Sequence, residues 1–139
     1  MSSDLEFLSA PEAGGRPPWL AHVASEAIRA VNHATINRQP VPGLTSASEA
    51  FDTVAALAEL ARRLPQLCEQ LADILTIADQ QGTLTGPAMA PASAAGDLRE
   101  AAGIASTAAV VLDMAHQRLS AIGGWLGSDA AALASAEED

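Results

Sequence analysis

Between Phe51 and Ile77, Leu57, Leu60, Leu64, Leu67, Leu71 and Ile74 recur at alternating spacings of three and four residues. That spacing is a heptad seam on a single helix, with Leu57, Leu64 and Leu71 in one column and Leu60, Leu67 and Ile74 in the other. Val54, Ala61, Cys68 and Leu75, with Ile77 beyond, widen the stripe on one side. So broad an apolar surface needs a cover, and alanine-faced neighbouring helices are the expected one. If they bury it, Leu64→Ala or Leu71→Ala costs roughly 2–5 kcal/mol.

The surrounding pattern predicts more helices. Pro18 to Asn37 reads as the first substantial one, with Pro17 or Pro18 in its opening turn, where a missing N–H costs nothing. Leu20, Val23, Ala27, Val31 and Ala34 line one face, and Trp19 anchors the start. Asn37 to Ser46, with Pro40, Pro42 and Gly43, is a connection. Ser46 and Glu49 have capping-box spacing and open the central helix at about Ala47; Gly82 closes it after Gln80 or Gln81. Pro65 lies inside that helix, away from the leucine seam, and predicts a kink rather than a break, since the heptad phase holds on both sides.

Gly82 to Gly96 reads as a loop, after which Asp97 and Glu100 cap a helix ending at Ile122. Its ladder is Leu98, Ala105, Leu112 and Leu119, with Ala101, Ala108, Ala115 and Ile122 between. The expected fold is all-α: a three-helix bundle built on a long antiparallel helical hairpin, with a short C-terminal helix. Residues 1–17 form a flexible arm carrying Leu5, Phe7 and Leu8. Residues 18–127 form the bundle, where Trp125 and Leu126 fold back on it, and residues 128–139 form the short helix and acidic tail.

Composition narrows the function. In 139 residues there is room for one domain with a modest core. Alanine makes up roughly a quarter of the chain and aromatics only 3%, so that core is thin. All 7 basic residues are arginine, as in the coding bias of a GC-rich bacterial genome. A formal charge of −10 repels phosphate backbones and anionic lipid, which argues against nucleic-acid or membrane partners. Cys68 is the single cysteine, so no internal disulfide forms. The polar, acidic N-terminus has no basic region before an apolar run, and the expected location is cytoplasmic.

Chemistry-bearing patterns are weak. His22 and Glu26 are four apart and Asp113 and His116 three apart, yet neither is the Glu-x-x-His pair that a di-metal bundle uses. No Gly-x-Ser-x-Gly occurs, and Gly82–Gly86 lacks the lysine of a phosphate-binding loop. No enzyme, metal or cofactor is expected. Trp125-Leu126-Gly127 resembles the Trp-x-Gly turn of the small acidic helical hairpins exported by actinobacterial type VII systems. In that family the tripeptide sits between the two helices; here it follows the second long one, so the family is not carried over.

The reading is a non-enzymatic protein-protein interaction module, a scaffold, adaptor or regulator that self-associates through its seam as a homo-oligomer, an antiparallel dimer forming a larger bundle, and binds a protein partner of unknown identity. Its contact residues are Leu57, Leu60, Leu64, Leu67, Leu71, Ile74 and Trp125. The alternatives are a bundle binding metal or a small molecule with His22, His33 and His116, and an exported helical effector or its chaperone.

Overall fold

The structure is a computed structural model that describes residues 16–122. Among them are three helices and no extended strand: α1 (Pro17–Ala34), α2 (Ala47–Gln80) and α3 (Ala90–Ser120). The described part of the chain is all-helical, as its pattern predicts. The N-terminal arm, Trp125, Leu126 and the expected C-terminal helix lie outside the described residues. The chain divides into two compact units, Met1–Pro42 and Gly43–Asp139.

In the first unit, Pro17 and Pro18 open α1, and Thr35 closes it with its N–H on the Val31 carbonyl at 3.0 Å. The helix ends three residues before the expected Asn37. Leu20, Val23 and Ile28 are half-buried, while Ala27, Val31 and Ala34 of the expected face are exposed. Trp19 is exposed as well.

In the second unit, α2 begins as expected. Ser46 Oγ accepts from the Glu49 N–H at 3.1 Å, and Glu49 Oε2 accepts from the N–H groups of Ser46 at 3.1 Å and Thr45 at 2.6 Å. These bonds satisfy donors that the first turn would otherwise leave open. Gly82 ends the helix at φ 68°, where a side chain would strain the backbone. The Gly82 N–H donates to Asp79 O at 3.0 Å and the Thr83 N–H to Ala78 O at 3.1 Å, the paired bonds of a Schellman cap. Between these ends α2 runs unbroken for 34 residues through Pro65.

The third helix starts seven residues earlier than expected, at Ala90 rather than Asp97. Asp97 is therefore an interior position of α3, not its cap. Pro91 suits a first turn, and Ala92, Ala94 and Ala95 are strong helix formers, which outweigh the roughly 1 kcal/mol that Gly96 costs. The connection to α2 shrinks accordingly to residues 81–89.

α2 and α3 pack densely on one another. Phe51 stacks on His116, Arg62 reaches Asp113, and Arg99 reaches Asp73. The partner's number falls as position along α2 rises, so the two helices run antiparallel. Their seam is built from small residues. On α3 it is Ala95, Ala102 and Ala109, all buried, continued by His116, with half-buried Leu98, Ala105, Leu112 and Leu119 alongside. The Leu98 ladder is thus a seam column, but its companion lies one position away from the expected Ala101, Ala108, Ala115 and Ile122. On α2 the seam is Phe51, Ala58, Pro65 and Ala72, with Val54, Ala61, Cys68 and Leu75. Ala58, Ala61 and Ala72 are the buried members, and Pro65, expected to point away, belongs to the packed side.

Candidate functional site

The leucine stripe of α2 is not that seam. Leu57 and Leu60 are half-buried, but Leu64 is 40% exposed, Leu67 42%, Leu71 41% and Ile74 60%. This corrects the expectation that alanine-faced helices hide the ridge. The stripe sits one heptad position before the true seam, a rotation of about 100° around the helix. Alanines occupy the contact instead because they let two backbones approach closely, which a column of leucines would prevent.

A second stripe has the same offset on α3. Ala101, Ile104, Ala108, Val111 and Ala115 stand one position before that helix's seam columns, and Ile104 and Val111 are exposed. In an antiparallel pair, an equal rotation on each helix, taken along its own chain direction, carries both stripes to the same side. The two therefore form one apolar face, with leucines along α2 and alternating alanines and β-branched residues along α3.

The other flank of the pair is polar apart from exposed Val110. There Arg62 donates from Nη1 to Asp113 Oδ1 at 2.6 Å, and Arg99 from Nη2 to Asp73 Oδ1 at 3.2 Å. Arg62 also reaches Glu59 at 3.0 Å, and Arg63 reaches the same carboxylate at 2.8 Å. The hydrogen bond from Arg63, followed by that from Arg62, holds the Glu59 carboxyl below its ordinary range. Asp113, ahead of Glu59, raises the Arg62 guanidinium above its usual value. The two interhelical pairs, Arg62–Asp113 and Arg99–Asp73, bridge the helices on this side, and the opposite side has no charge between its ends.

Nothing in the described residues gathers reactive groups. No three histidine, cysteine or carboxylate side chains there come close enough to hold a metal ion. His22 and His33 are exposed on α1. His116 belongs to the α2–α3 seam, its ring stacked on Phe51 and its Nε2 buried without a hydrogen-bond partner. Cys68 is half-buried in the same seam. No helix among the described residues is long and apolar enough to cross a membrane. The six residues of the α2 stripe are evident from their spacing in the sequence, whereas the contribution of Ile104 and Val111 is not. Their exposure follows only once the seam of α3 is placed on Ala95, Ala102 and Ala109.

No family model, curated protein or solved structure matches this chain.

Proposed function

We propose that the chain is a non-enzymatic interaction module, a scaffold, adaptor or regulator that works by holding other helical proteins on the apolar face of its α2–α3 hairpin. The observation that carries this reading is the run of exposed Leu64, Leu67, Leu71 and Ile74 beside exposed Ile104 and Val111. A contiguous apolar surface of this kind, bordered by polar residues, marks a protein contact site far more often than a bare surface. An amphipathic helix or helix pair suits it, because stripes at three- and four-residue spacing accept knobs at the same spacing. The acidic character of the chain keeps such a face soluble between encounters and disfavours nucleic-acid partners. Self-association belongs to the same reading, since the stripe can cover a second copy of itself.

Affinity capture from the native host tests it, comparing the wild-type chain with the double variant Leu64→Arg, Leu67→Arg. Proteins retained by the wild type and lost with the variant support the reading. Identical retention by both chains, with the variant as helical as the wild type, contradicts it.

A further inference from the structure

The charges at the two ends of the apolar face give it a direction. Among its described positions on α2 and α3 only Asp97 and Arg118 are charged, both exposed and both in the α3 column Asp97, Ile104, Val111, Arg118. Neither makes an ion pair among the described residues. Turning that column end for end exchanges Asp97 with Arg118 and Ile104 with Val111, so it is complementary to a reversed copy of itself. The α2 stripe has the same property: reversal exchanges Leu57 with Ile74, Leu60 with Leu71, and Leu64 with Leu67.

A single rotation can serve both helices only if the two midpoints lie at one height. The α2 midpoint falls between Pro65 and Gln66 and the α3 midpoint between Thr107 and Ala108. The pairs Arg62–Asp113 and Asp73–Arg99 place the α2 midpoint level with about residue 108 of α3, and the Phe51–His116 stack places it level with about residue 102. Averaged over the three contacts, the two midpoints agree to within about a helical turn.

We propose, building on the interaction reading above, that the occupant of this face is a second copy of the chain, related by a two-fold axis that crosses α2 and α3 at that height. In the resulting four-helix arrangement α2 lies antiparallel on α2 of the second copy and α3 on its α3. Asp97 meets Arg118 across the axis, twice. The leucines supply the contact area and the two charge pairs set the register, because the other face-to-face two-fold, running along the helices, lays α3 on α2 of the second copy and leaves Asp97 and Arg118 opposite uncharged residues. A face on the order of 30 Å long and two helices wide, with side-chain relief, gives roughly 800 Å² per copy, the standard size of a specific interface.

The test is sedimentation equilibrium of the full-length chain at low salt, with helicity of every variant checked by circular dichroism. Asp97→Arg and Arg118→Asp each put like charges across the axis and weaken the dimer roughly 5- to 30-fold. Their combination exchanges the charges and restores the affinity to within about threefold. Raising the salt to about 1 M shrinks the gap between each single variant and the wild type. A dimer that is lost with Leu64→Arg but indifferent to all three charge variants overturns the two-fold register and leaves the interaction reading intact. A chain that stays monomeric at roughly 100 μM overturns the second copy as occupant, while host capture still decides the broader reading.

Discussion

His116 of α3 lies flat against Phe51 of α2, with ring centroids 3.8 Å apart and planes 27° apart. The pair closes the seam at the end where α2 begins and α3 finishes, in a column otherwise filled by alanine. The stack supplies contact area, but it leaves the buried Nε2 without a hydrogen bond. An unsatisfied buried nitrogen costs stability that an apolar atom of the same shape would not. His116→Phe keeps the stack and removes the nitrogen. Its expected effect is a gain of up to about 1 kcal/mol in urea unfolding. A loss greater than about 1 kcal/mol would mean that the imidazole makes a contact this packing does not contain.

Ala72 tests the placement of the seam. It is 0% exposed, at a point where α2 and α3 approach closely. Ala72→Leu overfills that contact and should cost about 1–3 kcal/mol. By contrast Leu64→Ala, on the exposed stripe, should cost the dilute monomer less than about 1 kcal/mol and act on association instead. Denaturant melts of both variants at low and high protein concentration separate the two effects. Equal costs at the two positions would put the stripe back in the seam.

Gly103 sits in the middle of α3, exposed, and a Cβ built there meets nothing within 4 Å. Gly103→Ala should therefore stabilise the chain by about 0.5–1 kcal/mol, the difference in helix propensity, and raise its melting temperature. No change, or a fall, would show that α3 is not a continuous helix through this point.

Glu49 joins helix capping to pH. Its carboxylate accepts from the Thr45 N–H, and this bond, with those from Ser46 and the Thr45 hydroxyl, holds its pKa below the ordinary 4.5 despite the opposing cost of desolvation. A carboxyl whose folded pKa is depressed adds stability that is present above its unfolded pKa and lost as pH falls through the folded one. The depressed Glu59 carboxyl, held first by Arg63, acts in the same direction. Melting temperature should decline on acidification below about pH 4.5, and Glu49→Gln should flatten part of that decline. Ser46→Ala should cost about 1 kcal/mol at neutral pH through loss of the cap itself.

The ends of α2 were legible in the sequence because their signals are local. Ser46 with Glu49, and Gly82 at the far end, act within a single turn. The seam was not legible, for a reason of size. A hydrophobic pattern draws attention to the largest side chains, and on α2 these are the leucines, whereas close packing selected the column of Ala58, Pro65 and Ala72 beside Val54, Ala61 and Cys68. On α3 the ambiguity is sharper: Ala95, Ala102 and Ala109 differ from Ala101, Ala108 and Ala115 in nothing but their position, and only the partner helix distinguishes them. The start of α3 was hidden by Gly96 and by the cap-like Asp97, both of which the alanines before them override. The interaction residues Leu57 to Ile74 could thus be named from the sequence, while the side of the helix pair they occupy could not.

The central claim, that the α2 stripe is open on the single chain and closes when it binds, is tested most directly by thiol labelling. Leu64→Cys and Ala61→Cys, each in a Cys68→Ala background, place a reporter on the stripe and in the seam. The account predicts fast labelling at position 64 in dilute protein, slowed as concentration rises, and slow labelling at position 61 throughout. Position 64 as slow as position 61 in dilute solution, or a rate there that ignores both concentration and added host extract, would contradict it.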